Sequence, residues 1–161
     1  GLELLSFRFL RWFSMERLKL IHAVIGGIVL VSGFLTFLSI YDEKNYQRNR
    51  TNWTSLHSWM GIMVFFLFIL QWLFSLVTYL YPKLSASIRV GYLPFHVFFG
   101  ISIFVLLVCD AELGYLETIR KGPFERPLMN STCLLLTVFT AMVVYLTVKH
   151  RYKRTPLVND E

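Results

Sequence analysis

The sequence predicts an all-α transmembrane helical bundle, on three observations. Only 16% of its 161 residues are charged, where an ordinary soluble domain carries roughly a quarter. Mean hydropathy is +0.55. Four apolar stretches each reach the ~20 residues that a helix rising about 1.5 Å per residue needs to cross a bilayer. Lipid offers the backbone no hydrogen bonds, so each stretch is expected as a helix. Short connections make the helices antiparallel neighbours.

The elements follow in order. Residues 1–12 amount to about half a span, broken by Glu3, Arg8 and Arg11. No small-residue cleavage site follows, so the segment is not read as a signal peptide. It is expected to be the end of a helix begun upstream, in a fragment or short isoform, because the chain lacks a starting Met. Four full spans are placed at Leu20–Tyr41, Leu56–Tyr81, Leu93–Leu113 and Leu128–Val148. Residues 149–161 form a polar tail, and the whole is read as one membrane domain. There is no internal repeat and no low-complexity segment. Cys109 and Cys133 lie in apolar runs without CxxC spacing and read as buried thiols.

Loop charge sets the orientation. Residues 1–19, the 82–92 loop and the tail after 148 carry ten of the Lys and Arg residues, and the opposite side carries six. The richer side is expected to be cytosolic, which puts the C-terminus there. The sequons at Asn52 and Asn130 then fall on the other side. Trp12 and Trp53 sit at span edges as interfacial anchors. The net charge of +6 is modest and lies between apolar runs, so no nucleic-acid partner is expected.

Ionisable groups within spans usually face the bundle interior and serve function. His22 and His96 enter their helices from the cytosolic side, so they share a leaflet and a similar depth. His57 lies in the opposite leaflet. His150, in "KHRYKR", reads as a solvated charge. Two histidines from different helices at one depth can ligate one haem iron from both faces. Each alone could equally make an interhelical hydrogen bond. Zinc is a weaker alternative, since no third or fourth ligand is in sight. Gly26, Gly27 and Gly100 follow the pair by four or five residues, leaving room for a macrocycle or for close helix packing. Lys19, three residues before His22, and Arg89, seven before His96, place cations at the cytosolic mouth. These could bind haem propionates or an anionic reductant, or snorkel to lipid phosphates. Pro94, between Arg89 and His96, suits a first helical turn.

At these residues the sequence resembles the cytochrome b561 family of transmembrane ascorbate-dependent oxidoreductases. "KLIHAVIGG", "SLHSWMGIMVFFLFILQWLFSLVTYLYP" and "PFHVFFGISIF" resemble the family's third span start, fourth span and fifth span. "YKRTP" resembles its basic tail motif with one residue inserted. The likeness covers nearly the whole chain. It implies a six-span fold with two b haems, one near each surface, here without the first span and most of the second. His22 and His96 would be the axial ligands of the cytosolic haem, and His57 would ligate the non-cytosolic one. The family partner of His57 lies before Gly1, so these residues alone are expected to hold at most one haem. By the same resemblance Arg8 contacts a propionate, and Lys19 and Arg89 line the ascorbate mouth. Asn52, Trp53, Thr54, Ser55 and Glu117 border the non-cytosolic haem, and Lys153 belongs to the tail motif.

Two departures stand out. Lys44 replaces a histidine that many members carry near the non-cytosolic substrate site. Asp110 and Glu112 stand where small or apolar residues are usual. They read as groups near a helix end that reach water, or as a cation site suited to ferric chelates.

The function implied is one-electron transfer from cytosolic ascorbate to monodehydroascorbate or ferric iron on the other side. The partners implied are the lipid bilayer and, by resemblance, a second copy of the chain. Endosomal or lysosomal, secretory-vesicle and plasma membranes all suit it. Two alternatives are kept: a single-haem membrane anchor of a respiratory complex, and a haem-poor truncated chain acting as a non-catalytic interaction partner.

Overall fold

The computed structural model describes residues 2–10, 12–46, 54–119 and 126–149. Five helices follow in order: α1 Leu2–Phe9, α2 Met15–Tyr46, α3 Leu56–Tyr79, α4 Ala86–Ile119 and α5 Arg126–Val148. Four are long and apolar enough to cross a membrane, over Met15–Asp42, Leu56–Tyr79, Ala86–Glu117 and Arg126–Val148. The fold is an all-α transmembrane bundle.

Local chemistry fixes several helix ends. Ser55 has extended backbone and caps α3, its hydroxyl accepting from the Ser58 N–H at 3.2 Å. Such a cap satisfies one of the donors that the first helical turn leaves open. The start of α4 differs from expectation. The apolar pattern begins at Leu93, but the Arg89 N–H already donates to the Ser85 carbonyl at 3.1 Å. Pro94 therefore lies inside the helix rather than in its first turn. Ser87, Arg89 and Gly91 hide the first two turns from a hydropathy reading. Proline there forfeits the hydrogen bond to the Val90 carbonyl. With 34 residues, α4 is about 51 Å long, against a hydrocarbon core of roughly 30 Å.

α3 and α4 form the central pair. α2 packs on α3, α5 on α4, and α1 touches both α2 and α5. The buried apolar cluster is small: Val64 and Phe68 of α3 and Ile103 of α4, flanked by Leu30, Met60, Leu67 and Leu106. Large apolar side chains such as Phe66, Phe98 and Leu135 point outward. Lipid tails solvate them, so burial gives the helices little reason to associate. Close approach and polar ties do that work. The Trp72 indole N–H of α3 donates to the Ala23 carbonyl of α2 at 3.0 Å. The Thr137 hydroxyl of α5 donates to Glu112 of α4 at 2.7 Å. The Arg8 guanidinium donates to the Thr147 carbonyl near the C-terminus of α5. The cysteines, expected to be buried, are a free, exposed Cys109 and a free, half-buried Cys133.

Candidate functional site

His22 lies in the second turn of α2 and His96 in the third turn of α4. Both helices start at the same end of the bundle, and the ring centres are 6.0 Å apart with planes inclined by 73°. An imidazole nitrogen binds a metal at about 2 Å, with the ring centre roughly 1 Å beyond. Two rings on opposite sides of one ion thus have centres about 6 Å apart.

The remaining ring nitrogens are engaged. His22 Nδ1 lies 3.0 Å from the Glu3 carbonyl oxygen and 3.4 Å from Ser6 Oγ. A carbonyl only accepts, so the proton sits on Nδ1 and the Nε2 lone pair is left for a metal. His96 Nδ1 lies 2.8 Å from Ser75 Oγ, and that hydroxyl donates to the Gln71 carbonyl at 2.6 Å. With the proton on Nδ1, Ser75 accepts from it and Nε2 is free; with Nδ1 bare, the Gln71 amide donates to it instead. The Gln71 amide donates to the His96 carbonyl and lies beside Nδ1, both at 2.7 Å. Phe7, Tyr79 and Tyr92 pack around the two imidazoles, with ring centres 5.4 to 6.0 Å away. This donor set fits a bis-imidazole haem. Ligating histidines characteristically give their other N–H to such a partner.

The glycines behave otherwise than a macrocycle cradle would. A Cβ on Gly26 would stand 2.8 Å from Trp72 Cδ1 and 2.9 Å from Glu3 Oε1. Gly27 faces the same indole at 3.6 Å, and Gly100 faces Gln71 and Leu4 at 3.8 Å. The space beside Gly26 belongs to Trp72 and Glu3, so this glycine serves close helix packing. Glu3 Oε1 also lies 3.6 Å from His22 Nε2.

The expected cations gather at the same end. Lys19 lies within Coulombic reach of Lys83, Arg89 and Glu16. Lys83 Nζ is 4.0 Å from Glu16 Oε1. Arg89 Nε is buried with no hydrogen-bond partner among the described residues, a donor left over for an anion. Arg8, read as a propionate contact, has one guanidinium nitrogen on the Thr147 carbonyl of α5, where a cation complements the negative end of the helix.

His57 starts α3 at the opposite end. Its Nδ1 is 3.0 Å from both the Asp110 carbonyl and Asp110 Oδ1. Asp110 is buried. This corrects the reading of Asp110 as a group near a helix end that reaches water, because α4 runs on to Ile119 and turns this face toward α3. Glu112 is likewise tied to Thr137, in an apolar groove of about 780 Å³ between α4 and α5. Among the described residues, no group of three or more His, Cys, Asp or Glu could hold a bare metal ion. Glu117 follows on α4, close enough to Asp110 to interact electrostatically. Ser55 caps α3, and Thr54 is exposed. Asn52, Trp53, His150 and Lys153 lie outside the described residues, and no side-chain position is described for Lys44. Asn130 falls in the second turn of α5 rather than in a loop.

Sequence reasoning missed Gln71, Ser75, Tyr79 and Tyr92. Gln71 and Ser75 carried a signal: polar groups four apart, deep in an otherwise apolar span.

Fold and site together define a class, polytopic helical membrane proteins with two imidazoles from different helices close together inside the bundle. The profile described as eukaryotic cytochrome b561 matches residues 1–121, and the chain belongs to that family. A pig (Sus scrofa) protein named transmembrane ascorbate-dependent reductase CYB561 is 36% identical over 171 residues, covering 100% of this chain and 66% of that protein. The probable ascorbate-specific transmembrane electron transporter 1 of Oryza sativa subsp. japonica is 34% identical, over 88% of this chain and 63% of its own length. The ascorbate-specific transmembrane electron transporter 2 of Zea mays is 34% identical, over 89% and 64%. The chain thus spans a little under two-thirds of the length of these relatives.

Proposed function

We propose that this chain is the haem-binding core of an ascorbate-dependent transmembrane oxidoreductase. The observation that carries the reading is the pairing of His22 and His96, with ring centres 6.0 Å apart and both Nδ1 atoms engaged. Haem b bound there supplies reversible one-electron storage, and two histidine ligands leave no open position for oxygen.

The chain's own residues do the rest. The Glu3 carbonyl holds His22 in the tautomer that presents Nε2, and Ser75 and Gln71 hold the His96 ring at its Nδ1. Phe7, Tyr79 and Tyr92 keep water from the pair. Glu3 Oε1, near His22 Nε2, swings aside on its flexible side chain. Lys19, Lys83 and Arg89 raise a positive potential at the cytosolic mouth, which attracts the ascorbate monoanion. The acceptor on the far side is monodehydroascorbate or a ferric chelate. By the family resemblance, His57 is read as a residue that would help hold a second haem near the opposite surface. The excess of Lys and Arg places the C-terminus in the cytosol, and pairing with a second copy follows from the family resemblance.

The test is haem content. His22→Ala and His96→Ala should each abolish the same b haem while the protein remains inserted, measured by pyridine haemochrome and reduced-minus-oxidised spectra. A full spectrum retained in either purified variant overturns the assignment. The 161 residues alone should bind at most one haem, and two per chain would require a ligand from another subunit.

A further inference from the structure

We propose that Asp110 is the positioning residue of His57, giving that imidazole an anionic partner that neither His22 nor His96 has at Nδ1. The inference rests on the reading of His57 as a haem ligand and deepens it.

The two helices are built around this contact. Asp110 Oδ1 and the Asp110 carbonyl oxygen both lie 3.0 Å from His57 Nδ1. Both are acceptors, so Nδ1 carries the proton and Nε2 keeps its lone pair. Each helix makes room for the other's polar group with a glycine one turn on. Gly61, four residues after His57, lets the carboxylate in, and a Cβ there would stand 3.0 Å from Asp110 Oδ2. Gly114, four residues after Asp110, lies under the imidazole, and a Cβ there would stand 3.1 Å from Cε1 and 3.3 Å from Nε2. The ring is thus held at one nitrogen and seated against bare backbone. At the other end of the bundle, Nδ1 of His22 meets a carbonyl and a hydroxyl, and Nδ1 of His96 meets a hydroxyl and an amide. All of those are neutral.

The difference has a redox consequence. Ferric haem carries one more positive charge than ferrous haem. A carboxylate on the ligand imidazole makes the ligand more basic and favours the ferric form. Asp110 therefore lowers the midpoint potential of the His57 haem. Fourteen residues of α4 separate Asp110 from His96, about 21 Å along the axis, so the His22/His96 haem should not feel it.

The experiment is a potentiometric titration of the full-length protein, purified in detergent with its haem. His57→Ala identifies the haem in question by its loss. Asp110→Asn should retain that haem and raise its midpoint potential, leaving the potential of the other haem unchanged. Retention with no shift would reduce Asp110 to a tie between α3 and α4 and overturn the proposal. Equal shifts of both haems would overturn it too, as a general loosening of the bundle. If His57→Ala keeps the full haem complement, the reading of His57 itself fails and the role of Asp110 falls with it. Should Asp110→Asn not fold, Gly61→Ala keeps the carboxylate but displaces it by a few tenths of an ångström, since the methyl would stand 3.0 Å from Oδ2. A smaller rise of the same potential is expected there, and an unmoved one overturns the proposal.

Discussion

Replacing Gly26 with alanine should destabilise the bundle by about 0.5–3.5 kcal/mol. The added methyl would meet Trp72 Cδ1 at 2.8 Å, Glu3 Oε1 at 2.9 Å and Trp72 Nε1 at 3.1 Å. Glu3 can swing away. The indole cannot, because its N–H is bonded to the Ala23 carbonyl at 3.0 Å, one turn earlier on the same helix. Forcing a methyl into such a contact costs about 1–3 kcal/mol. Losing the indole hydrogen bond adds roughly 0.5–1.5 kcal/mol. Alanine's better helix propensity returns up to about 1 kcal/mol. The neighbouring position is the control. At Gly27 the methyl would lie 3.6 Å from Trp72 Cζ2, an ordinary contact, so only the propensity gain of about 1 kcal/mol is expected. Thermal unfolding of both variants in one detergent, followed by helical circular dichroism, measures the difference. A Gly26→Ala protein as stable as Gly27→Ala would refute the packing argument. If it also lost haem, the glycine would be clearing space for the macrocycle instead.

Three further outcomes are expected. Ser55→Ala removes the cap of α3 and should cost about 1 kcal/mol, seen as faster amide exchange at Ser58. Ser75→Ala removes a hydroxyl that holds His96 Nδ1 and should weaken haem binding about 10–100-fold in a haem titration, with the protein still inserted. Lys19→Gln should slow reduction by ascorbate and flatten its dependence on ionic strength in stopped-flow mixing, since screening acts on the charge removed.

The shared level of His22 and His96 was legible because helix direction sets it, whereas their approach to 6.0 Å was not. Alternate helices start from the same side, and two histidines near their starts must share a level. The partners of those rings were harder to read. Around a helix in lipid almost every position is apolar, so the sequence carries no stripe that says which side faces a neighbour. Asp110 shows the cost. Its nearness to the expected span end suggested water, while the turn of α4 put it against His57. Pro94 shows a second limit: hydropathy marks where lipid begins, and α4 starts two turns earlier. Gln71 and Ser75 could have been found, since two hydrogen-bonding side chains four apart in a span seldom stand there without a partner.

The cluster of Val64, Phe68 and Ile103 has one more consequence. Along α4, Ile103 lies midway between His96 and Asp110. Along α3, Val64 lies midway between His57 and Gln71. The buried apolar cluster between α3 and α4 therefore separates the two polar ends. An apolar gap of this kind stays dry, and a dry layer gives protons and small ions no chain of water to follow. A protein that passes electrons between two compartments must not discharge the gradients between them. For the transmembrane electron transfer proposed above, this cluster would be the seal. A polar side chain at position 64 or 103 would be expected to open a leak before it slowed a reaction.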